Sequence, residues 1–313
     1  MNDITHKIST LRSATAVGMI KCSQEIVDLA KADKLPKGDL FNIAKAAGFI
    51  GAKKTQDLIP HCHPVGIDAF KLEFYYSDDS ALLDYLDSKD ITLGIYIIAK
   101  AKYVGRTGIE MEVLTGLSVA ALTIYDLLKP LGQKDIEISG IRLLEKKGGK
   151  TDKPKFSKHI HKAGILLCSD AIANGKKEDT VGTEVKTLLE KEKTSIEKYT
   201  VVPTDTTTII DTINTWVEED IPVVFTIGGT GLGSPFIKEL QAQFDYEAKG
   251  VVQAMYQHGL DRSPLAMHSQ LVAGYINQTL IITLPGSRNG AIECLQGIIK
   301  AVFHARVVLK KNS

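Results

Sequence analysis

The chain has 313 residues, enough for two domains of ordinary size. Apolar residues make up 44% and charged residues 24%, a globular balance that excludes a disordered chain. With 38 Lys and Arg against 37 Asp and Glu the net charge is +1, so no bulk field draws nucleic acid or an anionic membrane, and an anionic ligand must be held by a local pocket. No apolar run reaches the ~18 residues of a membrane-spanning helix. The polar start, Met1-Asn2-Asp3-Ile4-Thr5-His6-Lys7, lacks a hydrophobic signal segment. Cys22, Cys62, Cys168 and Cys294 are scattered and form no CxxC, so neither a disulfide framework nor a zinc ribbon is expected, and a reduced cytoplasmic setting is the simplest home.

In chain order, Phe41 to Lys54 is alanine-rich and predicts a helix, with Phe41, Ile43, Ala44, Ala47, Phe49 and Ile50 as its buried positions. Phe70, Leu72, Phe74 and Tyr76 alternate, as do Ile91, Leu93, Ile95 and Ile97; period two predicts half-buried strands. Met111 to Lys129 returns to helix, and a last strand covers Ile136 to Leu144. The order helix, strand, strand, helix, strand predicts an α+β domain, helices on one face of an antiparallel sheet in a ferredoxin-like arrangement. From Lys146 to Lys162 come seven lysines, two glycines and one proline, with almost nothing to bury. Such a stretch reads as a linker and sets the domains at 1–150 and 163–313, joined by a Lys-rich segment at 151–162. The second half alternates: strand Gly164–Cys168, helix Thr180–Lys191, strand Tyr199–Val202, helix Thr207–Glu218, strand Val223–Ile227, then strand Leu280–Leu284 and helix Ala291–Phe303. That grammar predicts a three-layer α/β domain with a mostly parallel sheet covered on both faces.

Three loops at strand ends of the second half carry chemistry. Val223–Ile227 runs into Gly228-Gly229-Thr230-Gly231, Leu280–Leu284 into Pro285-Gly286-Ser287, and the first strand into Ser169-Asp170. Glycines let backbone N–H groups approach an anion, and ligands of open α/β sheets bind beyond the carboxyl ends of the strands. Glycine as plain turn chemistry explains any one of these loops; the set predicts a small-molecule pocket for a phosphate-bearing ligand. Neither GxGxxG nor GxxxxGK[ST] occurs there, so a dinucleotide or P-loop site is disfavoured. A nucleotide-dependent enzyme with a ferredoxin-like regulatory domain would need a glycine fingerprint where Ser169-Asp170 stands.

In the first half, His61-Cys62-His63 lies between Pro60 and Pro64. No second His/Cys cluster accompanies it, which leaves a metal short of ligands; turn residues and general acid–base work both remain open. Asp126 and Lys129 share a helix face, which fits an exposed ion pair or an active-site pair equally well. The turn Gly105-Arg106-Thr107-Gly108 before them is basic, Glu110 and Glu112 follow at once, and Lys37-Gly38-Asp39 forms another glycine turn before a helix.

These segments are recognisable as a set. Lys37-Gly38-Asp39, AKKTQDLIPHCHP (Ala52–Pro64), GRTGIEME (Gly105–Glu112), LTIYDLLK (Leu122–Lys129) and RLLEKKGGK (Arg142–Lys150) resemble, in order, the MoaC family of cyclic pyranopterin monophosphate synthases. SDAIANGKKEDTVG (Ser169–Gly182), GGTG (Gly228–Gly231), SPLAMHSQLVAG (Ser263–Gly274) and LPGSRNGAIECL (Leu284–Leu295) resemble the MogA/MoaB molybdopterin-binding family. The first resemblance implies conversion of a GTP-derived, cyclised dihydro nucleotide to cyclic pyranopterin monophosphate with release of pyrophosphate, in a hexamer with sites between subunits. It maps catalytic roles onto Lys37, His63, Asp126, Lys129, Glu110 and Glu112, and substrate contacts onto Cys62, Lys102, Arg106, Lys146 and Lys150. The second implies a molybdopterin-like ligand at Ser169, Asp170, Asp179, Gly228–Gly231 and Pro285–Ser287. A hexameric first half and a trimeric second half are compatible in threefold symmetry, so a homo-oligomer is expected, with no nucleic acid or membrane partner.

Departures from the family patterns set further expectations. His61 stands where Leu is usual, and Lys102 where Arg is usual. In the second half Ala171 replaces an arginine, Thr204 an aspartate, and Phe236 stands at the position of a ligating aspartate, while Asp179 and Glu293 remain. No tightly bound cofactor is expected. The ion the second resemblance brings is Mg²⁺ for adenylyl transfer, and the acidic groups to hold it are depleted, so ligand binding is expected to outlast adenylyl transfer.

Overall fold

The computed structural model describes residues 1–131, 136–149 and 161–304. The chain divides into two compact units, Met1–Lys153 and Pro154–Ser313. Most of the segment expected to be a linker, 151–160, and Lys150 lie outside the described residues.

The first unit runs β1 (Thr10–Lys21), α1 (Gln24–Lys31), α2 (Leu40–Lys53), α3 (Thr55–Leu58), β2 (Ala69–Tyr76), β3 (Gly94–Gly105), α4 (Glu110–Leu128) and β4 (Glu137–Lys147). Its antiparallel sheet has the order β2-β3-β1-β4, the ferredoxin-like order. Strand β1 went unread in the sequence because its inward residues, Ala14, Ala16 and Gly18, are too small to print a hydrophobic alternation. It is nonetheless a central strand, paired along its length with β3. Ile91 and Leu93 precede β3 rather than starting it; the strand extends instead through Ala99, Ala101 and Tyr103.

Helix α2 corrects the predicted buried face. Ile43 and Ile50 are exposed, Ile50 at 62%, while Leu40, Ala44, Gly48, Gly51 and Ala52 are buried. The reason is close helix packing: a Cβ on Gly48 would stand 2.9 Å from the Gly116 carbonyl oxygen of α4. The small residues let two backbones touch, and the larger ones point away. Taken with its following turn, Glu110–Leu131 is long and apolar enough to cross a membrane by length and composition alone. Here Val113, Leu117, Ala120, Ala121 and Ile124 bury one face of α4 in the core under the sheet. The opposite face of the sheet is partly covered by residues 80–90, whose Leu82 and Leu86 pack on Val17, Met19, Tyr96 and Ile98.

The second unit runs β5 (His161–Cys168), α5 (Asp170–Ala173), α6 (Val181–Lys191), β6 (Thr194–Val202), α7 (Thr206–Glu218), β7 (Val223–Ile227), α8 (Pro235–Ala242), β8 (Tyr246–Glu247), α9 (Lys249–Leu260), β9 (Ala273–Ile276), β10 (Thr279–Leu284) and α10 (Arg288–Ile298). The sheet order is β6-β5-β7-β10-β9-β8, parallel from β6 to β10 and antiparallel at the β9 and β8 edge. One core lies under α6, α9 and α10, built on Ile165, Leu167, Phe225 and Ile282; the other lies under α7 and α8, built on Leu166, Val224 and Ile281. Alternate residues of each buried strand feed opposite cores, which makes the strands read as continuous apolar runs.

Candidate functional site

In the first unit the predicted residues gather at the two ends of α4. At the C-terminal end, Lys37 Nζ lies 3.2 Å from Asp126 Oδ2 and donates to the Asp126 carbonyl at 3.0 Å. Lys129 Nζ lies 2.6 Å from Asp126 Oδ1. Lys37 is brought there by the turn before α2, where Gly38 adopts φ +85° and Asp39 caps the helix by accepting from the Asn42 amide. The Lys129 and then the Lys37 hydrogen bonds hold the Asp126 carboxyl below its ordinary range, and Asp126 in turn raises Lys129.

At the N-terminal end stand Glu110 and Glu112. Glu112 is 4% exposed, and burial, with Glu110 as a like-charged neighbour, pushes its carboxyl up. Lys146 Nζ pairs with Glu110 Oε1 at 2.9 Å. The Cys62 thiol is raised by partial burial and by the nearby Glu112 charge, which places the His61-Cys62-His63 turn at this end. His63 Nε2 bonds the Asn2 carbonyl at 2.7 Å. From Glu112 to Asp126 the helix rises about 21 Å. Within one chain, therefore, Lys37, Asp126 and Lys129 converge, and His63, Glu110, Glu112, Cys62 and Lys146 form a separate group.

Arg106 sits in the turn leading to this second group. Lys102 does not join either group. It follows Lys100 by two residues on β3, and Lys100 bonds Tyr85 and Glu73 on the sheet face away from the helices. Strand alternation sends Lys102 to that same outer face. One residue passed over in the sequence is Arg12, buried on β1. Its Nε donates to the Gly105 carbonyl at 3.1 Å, and a Cβ on Gly149 would stand 2.0 Å from its Nη1. It therefore ties the Gly105-Arg106 turn to the end of β4; the paired glycines Gly148-Gly149 were its only sequence trace.

In the second unit the three predicted loops meet because β5, β7 and β10 are parallel neighbours. The Gly228 amide donates to the Leu284 carbonyl at 3.0 Å, and a Cβ on Gly286 would stand 3.3 Å from Gly228 Cα. Gly228 and Gly229 have φ of +94° and +70°, and a Cβ on Gly228 would stand 2.5 Å from the Cys168 carbonyl oxygen. Beside Pro285 and Ser287 opens a cavity of about 570 Å³, whose wall includes Arg262, Ser263, Ser269 and Arg288. Arg288 also lines a second hollow of about 420 Å³ with Asp179 and Glu184, and pairs with Glu184.

The MoaC family profile matches residues 1–149, and that of the probable molybdopterin binding domain matches residues 164–305. A molybdenum cofactor biosynthesis bifunctional protein of Chlorobaculum tepidum is 36% identical over 99% of this chain and 94% of its own length. The chain belongs to the bifunctional molybdenum cofactor biosynthesis proteins. A second such protein, from Synechococcus elongatus, is 30% identical over 99% of this chain and 97% of its own. The first half alone is 44% identical to the cyclic pyranopterin monophosphate synthase of Cereibacter sphaeroides, over 48% of this chain and 87% of that one.

Family membership raises the matter of Mg²⁺ in the second domain, and the side chains present do not fit a carboxylate-held ion. Asp170 accepts from the Thr204 amide at 2.9 Å and from the Thr204 hydroxyl, which together hold its carboxyl down. Asp179 accepts from the Gly182 amide at 2.7 Å and from the Tyr199 hydroxyl. Asp205 caps α7 through Thr208. Phe236 is 2% exposed and packs in the core beneath Gly229, so the position of the ligating aspartate is here a packing position. Among the described residues no group of three His, Cys, Asp or Glu is placed to hold a metal.

Proposed function

We propose that the first domain converts a GTP-derived, cyclised dihydro nucleotide to cyclic pyranopterin monophosphate with release of pyrophosphate, in a site completed between two copies of the chain. The observation that carries this is the separation of the two groups along α4, with an apolar stripe between them. Met111, Leu122 and Tyr125 on α4, and Ile43 and Ile50 on α2, are all exposed, Leu122 at 59%. A self-complementary contact through that stripe, with the two α4 helices antiparallel, sets the Lys37–Asp126–Lys129 end of one copy beside the Glu110–Glu112–His63 end of the next. Each group alone is half of what the chemistry needs. Rebuilding a purine ring moves several protons, which calls for acids and bases nearby. Glu112, raised by burial, supplies the acid; His63 is the exchangeable base. Asp126 stays ionised and orients two ammonium groups, while Arg106 and Lys146 supply cations for a departing pyrophosphate.

The second domain, in this reading, binds a molybdopterin-like pterin phosphate at the Gly228–Gly231 and Pro285–Ser287 loops, through the backbone amides of Gly229, Thr230, Gly231, Gly286 and Ser287. Those amides recognise an anion without a metal. Incubating the full chain with the cyclised dihydro nucleotide and following pyrophosphate and pterin product tests the first activity; no product at any protein concentration refutes it.

A further inference from the structure

The glycine loop of the second domain is held from outside by a strap, residues 269–271, which lies within the Ser263–Gly274 segment. The strap runs from the turn after α9 to the edge of the sheet. Its middle residue, Gln270, donates its amide to the Thr230 carbonyl at 2.8 Å, and Thr230 is buried in the glycine loop. The residues on either side of Gln270 are both fixed by one phenol. Tyr256 of α9 donates its hydroxyl to the Ser269 carbonyl and accepts from the Leu271 amide at 3.1 Å. Beyond Leu271, the Val272 amide donates to Thr283 Oγ1 at 2.8 Å, and Thr283 immediately precedes Leu284-Pro285-Gly286. Leu284 closes the ring, since its carbonyl accepts from the Gly228 amide at 3.0 Å. Tyr256 also stands in the wall of the cavity that opens beside Pro285 and Ser287.

From this geometry we infer that Tyr256 is a positioning residue for the second domain's binding site: its hydroxyl fixes the 269–271 strap, and the strap fixes the Gly228–Gly231 loop. The physical argument is one of order. Three glycines in four residues give the loop a large conformational choice in the absence of contacts, and an anion bound by backbone amides needs those amides to point one way before it arrives. The Gln270 amide bonds the loop's own backbone, so its position depends on whether the strap is pinned. A single hydroxyl that both donates and accepts, on either side of that amide, pins it on the α9 side as Thr283 does on the sheet side. Loss of the hydroxyl leaves a carbonyl and an amide of the strap without partners.

The inference rests on the reading that this loop binds a pterin phosphate, and the test separates the two. Full-length chain and its Tyr256→Phe variant are titrated calorimetrically with neopterin monophosphate, and amide exchange is measured on both without ligand. The expected result is binding about tenfold weaker in the variant, with faster exchange at Gln270, Leu271 and the Gly228–Gly231 amides but not in β5 or α7. A phenol that merely packs α9 would speed exchange within α9 and leave the glycine loop untouched, which overturns the inference. Binding by both proteins within twofold overturns it as well. Failure of the unaltered chain to bind refutes the reading of the site and removes any binding role for Tyr256.

Discussion

A site shared between copies makes a quantitative prediction about mixtures of dead subunits. Lys129→Ala removes a cation from the Asp126 end of α4, and Glu112→Gln removes the buried acid some 21 Å away at the other end. Each substitution inactivates every site of its own homo-oligomer. In a two-copy unit holding one subunit of each kind, one site receives both lesions and the other receives none. Random pairing makes half of the units mixed, and half of their sites intact, so co-expression of the two variants restores about a quarter of normal turnover. The two lesions do not disturb the shared surface, because Lys129 is exposed and Glu112→Gln keeps the size of the side chain. The assay is pyrophosphate release from the cyclised dihydro nucleotide by affinity-purified mixed assemblies, calibrated against each variant alone. Turnover no greater than the sum of the separate variants refutes the shared site. So does a light-scattering mass equal to that of one chain at micromolar concentration.

Lys37→Ala is expected to lower turnover by about 10²-fold or more, through loss of an oriented cation, while its thermal midpoint stays that of the unaltered chain because the Lys37–Asp126 pair is exposed. Glu112 gives a stability slope of known sign. Its folded carboxyl is raised above the unfolded value, so the folded state holds the proton longer, and the contribution present below the unfolded value is lost as pH rises through the folded one. Urea unfolding from about pH 4 to 7 should show that decline in the unaltered chain and not in Glu112→Gln. Gly228→Ala should destabilise the second domain by about 1–3 kcal/mol, since the new Cβ meets the Cys168 carbonyl at a positive φ; a calorimetric trace with neither transition displaced contradicts this. Chelation of Mg²⁺ should leave neopterin monophosphate binding within twofold, and AMP transfer from ATP by residues of this domain should be weak. Robust Mg²⁺-dependent transfer by the full chain overturns that expectation.

The second domain's architecture is plain in the sequence because its central strands β5, β7 and β10 are nearly continuous apolar runs and its helices are amphipathic, and each period is readable over a few residues. The first domain was harder. The strand that organises it, β1, faces the core with Ala14, Ala16 and Gly18, and α2 packs through Gly48 rather than through its isoleucines. In both elements small residues stand where large side chains would be expected: in α2 the isoleucines therefore mark the exposed face, while in β1 Val17 and Met19 are buried against residues 80–90 on the other face of the sheet. Ile43 and Ile50, which their spacing assigns to the core, stand on the exposed face for this reason. The pairing of Lys37 with Asp126 across 89 positions was suggested only by motif resemblance, since no local periodicity carries a contact between a glycine turn and the far end of a helix.

Thr204 and Phe236 drew attention in the sequence as two lost metal ligands, but the structure gives them different physical meanings. Phe236 fills the core beneath Gly229, alongside Ile237 and Leu240, so its position contributes packing to the floor of the glycine loop. Thr204 acts at the surface. Its amide and hydroxyl both bond Asp170, which joins the loop after β6 to the loop after β5 without an ion. An aspartate at 204 would face Asp170 with like charge, an arrangement that needs a cation between the two. The threonine supplies a hydroxyl donor to Asp170 instead. What persists for ligand binding is the part written in the backbone: left-handed glycines at 228 and 229, the amide of Gly228 on Leu284, and the strap that Tyr256 holds against Thr230. In the proposed reading, binding and adenylyl transfer are separable, because the first would draw on main-chain amides and the second on carboxylates that here are already engaged.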